Sequence, residues 1–136
     1  MDFFTAMDVS ASGLSAERVR MNVASSNLAN AQVTRTPQGG PYQKQEVVLS
    51  STPMVDGLPG VNGVVVQGIV ASPDAPRLEY DPGHPDADAQ GYVAYPDISP
   101  VQEMVDMITA SRAYEAGVTS IESLKSMARA ALKIGR

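Results

Sequence analysis

Cysteine and tryptophan are absent from this chain of 136 residues, phenylalanine occurs only at Phe3 and Phe4, and His84 is the single histidine. Without cysteine there is no disulfide, no thiol nucleophile and no thiolate metal site. One histidine leaves no second imidazole for a His-paired metal or for a Ser-His-Asp arrangement within one chain. Proline is missing from both ends. All ten prolines lie between Pro37 and Pro100, and eight of the eleven glycines share that middle stretch. No apolar run is long enough for a membrane span or a signal-peptide core, and Asp2 and Asp8 stand where a secretory leader carries bases. The expectation is a soluble chain that does not leave the cell by the ordinary secretory route.

Positive charge is scarce in one place. Residues 51–100 hold seven acids against Arg77 alone, whereas residues 1–50 balance four acids against four bases and residues 101–136 hold four against five. The net charge of −5 therefore belongs to the middle, which argues against a nucleic-acid surface there. With so few aromatics, any core in the middle is built from Val, Ile, Leu, Ala and four tyrosines, and is small.

The two proline-free ends read as helices. From residue 4 to 28 a seven-residue register places Met7, Leu14, Met21 and Leu28 in one column, and Phe4, Ala11, Arg18 and Ser25 in its partner. That spacing lays an apolar stripe along one side and invites a partner helix, though the second column is only half apolar. Serine, asparagine and Gly13 make the arm a weak helix former by itself. Asn27 and Asn30 fall at its end, and Asn30 suits a left-handed residue just past the terminus. At the other end, Ser99-Pro100-Val101-Gln102 is a helix start with a capping residue, proline at the first helical position and the glutamine of a capping box. A stripe follows through Met104, Ile108, Ser111, Tyr114, Val118, Ile121, Leu124, Ala128 and Leu132. Gly117 interrupts it, at about 1 kcal/mol relative to alanine. Lys125, Arg129 and Lys133 read as a solvated face that complements the helix dipole.

Between the arms, Tyr42–Leu49, Val64–Ala71, Arg77–Tyr80 and Tyr92–Tyr95 read as short strands of one small antiparallel sheet. Residues 50–63 read as an exposed loop or extended hairpin. Gly57, Gly60 and Gly63 are not a phosphate loop, since no Lys-Ser or Lys-Thr follows. The segment from Asp86 approaches a calcium loop, with Asp86, Asp88 and Asp97 as oxygen donors, but Pro85 denies it the flanking helix. The alternative is a turn whose aspartates bond nearby backbone N–H groups. No nucleophile, base and oxyanion site come together, so no catalytic residue, cofactor or metal is expected and the chain reads as no enzyme.

The fold expected is α+β: long terminal helices forming a coiled-coil-like pair, with a small β-rich, Pro/Gly-rich middle. The expected divisions are 1–36, 37–98 and 99–136. Ser25-Ser26-Asn27-Leu28-Ala29-Asn30-Ala31 resembles the signature of bacterial flagellar basal-body rod proteins. Thr34–Tyr42, Asp81–Pro96 and Pro100–Tyr114 resemble the FlgC, proximal-rod, type. The resemblance implies a structural subunit exported through the flagellar type III apparatus without a cleaved signal peptide. It also implies terminal helices that order on assembly into a hollow periplasm-spanning rod carrying torque. The partners it implies are other proximal and distal rod subunits, the rod adaptor at the membrane ring, and the chain itself, with no nucleic acid and no membrane insertion. The residues expected at assembly interfaces are Phe4, Met7, Leu14, Met21, Asn27, Leu28 and Asn30 on the first arm. On the second they are Met104, Ile108, Tyr114, Val118, Ile121, Leu124 and Leu132. A calcium-binding module, or a type III-secreted adaptor that does not polymerise, is the alternative.

Overall fold

A computed structural model describes residues 3–54 and 60–135. Helix α1 (Phe3–Ala29) leads to a hairpin of β1 (Gln45–Pro53) and β2 (Asn62–Ala71), then to a ribbon of β3 (Arg77–Tyr80) and β4 (Tyr92–Tyr95), and ends in helix α2 (Pro100–Ile134). The architecture is α+β, as the pattern of residues implies.

The helices pair antiparallel: Asn27 of α1 meets Glu103 of α2, and Leu14 meets Gly117. At 1.5 Å per residue, α1 is about 40 Å long and α2 about 52 Å. By this register Phe3 lies opposite the region around residue 127, so the last turns of α2 project past it. Gly117 leaves room for Leu14. A Cβ there would sit 2.7 Å from Leu14 Cδ2, so the leucine would have to shift. The glycine that weakens the helix thus gives Leu14 its seat.

One column of the expected register faces the pair and the other does not. Met7, Leu14, Met21 and Leu28 are half-buried, but Phe4, Ala11, Arg18 and Ser25 are exposed. The buried residues lie on the other side of that first column: Ala16 and Val23, two residues after Leu14 and Met21, and Ala24 and Ala31, three after Met21 and Leu28. Alanine dominates this side, so hydrophobicity alone does not mark it. On α2 the stripe runs as expected from Ser111 to Ala128. Its beginning is displaced by one residue: Glu103, Met107 and Ala110 turn inward, while Met104 and Ile108 are exposed.

Several serines and threonines of the helices bond their own backbone. Ser10 Oγ donates to Ala6 O, and Thr109, Thr119, Ser120 and Ser123 each donate to the carbonyl four residues back, at 2.8–3.0 Å. The start of α2 is capped by Ser99 Oγ, which accepts from Gln102 N–H at 3.4 Å. Gln102 Nε2 bonds forward to Asp106 Oδ1. At the end of α1, Asn30 closes the helix in a right-handed conformation, for no non-glycine among the described residues has positive φ. Its side chain donates to Ser26 O at 2.8 Å, which caps a terminal carbonyl without the left-handed turn expected of it.

The middle is two ribbons instead of one sheet. β1 pairs only with β2 and β3 only with β4, both antiparallel, because Pro73 and Pro76 interrupt the chain between the ribbons. Both strands of the first hairpin run further than expected, β1 to Pro53 and β2 from Asn62. Residues 50–63 are thus mainly strand, with 55–59 outside the described residues. The hairpin lies along α1, from Gln45 beside Asn27 to Val64, whose N–H donates to Ser12 Oγ. The lengths match: the helix covers roughly 22 Å between those residues, and the strand roughly 20 Å.

The core is thin. The buried apolar side chains are Ala16, Val23, Ala24, Ala31, Val93, Ile98 and Ala110, four of them alanine. The accessible surface is 9121 Å², against about 6,800 Å² for a compact monomer of this mass.

In trimethylamine N-oxide, where the helices form, Leu14→Cys with Gly117→Cys gives an intramolecular disulfide on mild oxidation, since Leu14 Cγ lies 3.2 Å from the Cβ position at Gly117. The native chain has no thiol to compete. A faster-migrating band on a non-reducing gel is expected for this pair and not for Phe4→Cys with Gly117→Cys.

Candidate functional site

The most constrained group of side chains lies where α1 ends, β1 begins and α2 begins. After Ala29 the chain turns through Ala31 and Val33, reverses at Thr36–Gly40, and returns with Tyr42 N–H bonded to Val33 O. The reversal needs Gly39 and Gly40, whose φ values are +92° and +74°. It brings Lys44 and Gln45 alongside Asn27.

Asn27 is 1% exposed and uses every polar atom it has. Its Nδ2 donates to Gln45 O at 2.9 Å and to Glu103 Oε2 at 3.1 Å. Its Oδ1 accepts from Gln45 N–H at 2.9 Å and from Tyr42 OH at 3.2 Å. The side-chain amide thus pairs with the peptide of Gln45 as a neighbouring strand would, and one residue stands in for a missing ladder partner. Glu103, 2% exposed, comes from α2. Lys44 Nζ lies 3.2 Å from Glu103 Oε1 and offsets its charge, but no hydrogen bond reaches that oxygen. A buried carboxylate is tolerated only with such partners, and removing either one is costly.

The acidic loop before β4 does not gather its carboxylates. Asp81 Oδ1 accepts from Gly83 N–H, and Asp88 Oδ1 accepts from the N–H groups of Gln90 and Tyr92. Asp86 turns toward the elbow, where Thr34 Oγ1 donates to it at 2.8 Å and Arg35 lies 3.7 Å away. His84 Nδ1 accepts from Asp86 N–H. The aspartates cap turns and fasten the loop to residues 34–35, and among the described residues no three metal-ligating side chains converge. Among the described residues no helix is long and apolar enough to cross a membrane.

The residues singled out in the arms fall into three sets. Asn27 is in the buried junction. Leu14 meets Gly117, and Met7, Met21, Leu28, Asn30, Tyr114, Val118, Ile121 and Leu124 are half-buried. Phe4, Met104, Ile108 and Leu132 are exposed, Phe4 and Leu132 to 73%. Sequence reasoning missed Tyr42, Gln45 and Glu103 as partners of Asn27, and Lys44 as the partner of Glu103. An acid in the first turn of a helix ordinarily reads as a complement to the dipole. The available signal was its spacing to Met107 and Ala110, which places Glu103 on the inward face.

Asn27→Asp keeps the acceptor but loses both donors and sets two carboxylates side by side. The expected loss is about 2–4 kcal/mol, and adding Glu103→Gln restores part of it. Titration with trimethylamine N-oxide, followed by circular dichroism at 222 nm, gives the test. The single variant needs more osmolyte to reach its helical form, and the double variant less than the single.

Known proteins match this chain along its length. Residues 7–35, which include Asn27, match the family described as flagella basal body rod protein. Residues 89–134 match the C-terminal family described as flagellar basal body rod FlgEFG protein. The chain is 44% identical to the flagellar basal-body rod protein FlgC of Borreliella burgdorferi, covering 98% of both chains. It is 42% identical to that of Bacillus subtilis and 40% identical to that of Salmonella typhimurium, each over the full length of both. A buried asparagine joining two terminal helices thus lies in a chain related end to end to these proteins, and the chain belongs to the FlgC family of flagellar basal-body rod proteins.

Proposed function

We propose that this chain is a structural subunit of the proximal rod, assembling through its terminal helices into a hollow shaft. That shaft carries torque and the export channel across the periplasm. The observation that carries this reading is the surface. The folded chain exposes roughly a third more area than a compact monomer of its mass. Much of the apolar part lies on the helices: Phe4, Val101, Met104, Val105, Ile108, Met127, Leu132 and Ile134 are all exposed. These are faces that neighbours cover.

Folding and assembly are coupled in this scheme. A core that is mostly alanine offsets little of the ordering entropy of two long helices, and burial between subunits supplies the rest. The neighbours are other proximal rod subunits, further copies of the chain, the distal rod and the adaptor at the membrane ring. Delivery is through the flagellar export apparatus without a cleaved leader. The ribbons and the acidic loop form the subunit's own outer body and set spacing between subunits. The chain performs no catalysis and holds no cofactor.

Two measurements test this. The dilute monomer is expected to show far less helix by circular dichroism than the 27 and 35 residues of α1 and α2, with protease-sensitive ends. Two stable long helices in the monomer would defeat the coupling. Leu14→Asp and Ile121→Asp, which strike the helix pair itself, are expected to abolish incorporation into basal bodies and motility. Ile108→Asp, on an exposed face, does the same only if that face is covered in the rod. Normal motility in all three would refute the interface assignment.

A further inference from the structure

The charges of this chain are sorted by end. Residues 78–111 hold seven acids and no lysine or arginine, and residues 123–136 hold four bases and no acid. The two segments sit at opposite ends of the fold. The β3–β4 ribbon leads into the first turn of α2, and its loop is fastened to residues 34–35 just past α1. Lys125, Arg129 and Lys133 lie on the far turns of α2, where the helix projects past Phe3. From Pro100 to Arg129 the helix covers about 44 Å, so the acidic ribbon and the basic tip of one chain cannot touch.

Each surface also carries exposed apolar groups. In the ribbon Leu78 pairs with Ala94 and Tyr80 with Tyr92, so these four share one face. Val93 belongs to the opposite face and is fully buried, which turns the four outward. Leu78 and Tyr80 are each 65% exposed, and the rings of Tyr80 and Tyr92 meet edge to face with centroids 5.4 Å apart. Glu79 stands between Leu78 and Tyr80, Asp81 follows Tyr80, and Asp88 accepts from Tyr92 N–H; all three acids are exposed. At the tip, Met127, Leu132 and Ile134 are exposed among the bases. Leu132 continues the stripe of Leu124 and Ala128 by which α2 packs on α1, but beyond the reach of α1. None of the ion pairs among the described residues includes Lys125, Arg129 or Lys133. Bases alone suit a solvated helix end. Apolar side chains exposed between them point to a surface that a partner covers.

We infer that the basic tip of α2 in one copy docks on the tyrosine face of the β3–β4 ribbon in the next copy along the shaft. The inference rests on the rod-subunit reading and specifies one contact between copies. A second copy is the occupant because the chain carries both halves of the contact and cannot join them internally. Like charge opposes the other self-pairings: two tips repel through their bases, and two ribbons through their acids. Leu78, Tyr80 and Tyr92 supply the apolar cover for Leu132 and its neighbours, and tyrosine rings accept lysine and arginine over their faces. Exposed ion pairs add little by themselves, so charge selects the partner while the apolar groups hold it. Unlike surfaces meeting head to tail repeat along a row instead of closing into a pair. An elongated shaft needs contacts of that kind.

The test uses the full-length chain in motile cells, where its lack of cysteine leaves the engineered thiols alone on it. Two copies with different affinity tags are co-expressed, one with Leu78→Cys and the other with Leu132→Cys. A short bismaleimide is added and basal bodies are purified. The expected product carries both tags. When both tagged copies carry Leu78→Cys, or both carry Leu132→Cys, its yield is expected to fall at least fivefold. Equal yields, no two-tag product, or links only to a different rod protein overturn the inference. In a second arm, Arg129→Glu with Lys133→Glu is expected to lower the amount of chain in basal bodies at least fivefold. Its osmolyte-folding midpoint stays close to that of the unsubstituted chain, and adding Glu79→Lys restores at least part of the incorporation. Unchanged incorporation, or a loss that Glu79→Lys does not relieve, refutes the contact. An unsubstituted chain missing from basal bodies defeats the rod reading and this contact with it. A chain present there without the two-tag product defeats the contact alone.

Discussion

The rest of the structure depends on one side-chain amide. Asn27 binds the peptide of Gln45 through both its oxygen and its nitrogen, while the same nitrogen reaches Glu103 and the same oxygen takes Tyr42. Helix, hairpin and second helix are distant in sequence and share little apolar core, yet they meet at this group. Hydrogen bonds are directional where hydrophobic contact is not. A junction made this way fixes the angle at which the elements leave it, and a seam of alanine and serine cannot do that. The charge pair of Glu103 with Lys44 adds a second reason for specificity, since a buried carboxylate accepts only one arrangement of its partners.

What the residues revealed in advance followed their periodicity. The boundaries of α2, the strands Arg77–Tyr80 and Tyr92–Tyr95, and the capping by Ser99 all come from local chemistry that the chain carries openly. The second column of α1 was misplaced because Phe4 and Ala11 are apolar at heptad spacing, while the side that packs is marked by Ala16, Val23 and Ala24, which follow no plain heptad. The left-handed end expected at Asn30 failed for a related reason: its side chain found a carbonyl one turn back. The junction was legible only in part. Asn27 stood out through its family motif, but its partners lie 18 and 76 residues away, and no local pattern encodes those distances.

The two regions of the molecule rest on different physics. The ribbons are held by turn chemistry: carboxylates on backbone N–H groups, Gly91 at positive φ tucked against Tyr80, and prolines that end strands. Such structure closes over short loops and needs little core. The helices have long reach and few internal anchors beyond the pair of Leu14 with Gly117 and the junction at Asn27. Their large exposed faces fit a part whose stability is completed from outside.

The self-bonded serines and threonines of the helices have one more consequence. A hydroxyl already given to the carbonyl below it brings no unmet donor to a new contact, so covering it requires no particular partner. Surfaces of this kind are chemically quiet. They can lie against one neighbour or a quite different one with a similar gain, and slide between the two without breaking a bond. Discrimination on such a helix is left to the few charged and buried polar points, such as the pair of Lys44 with Glu103.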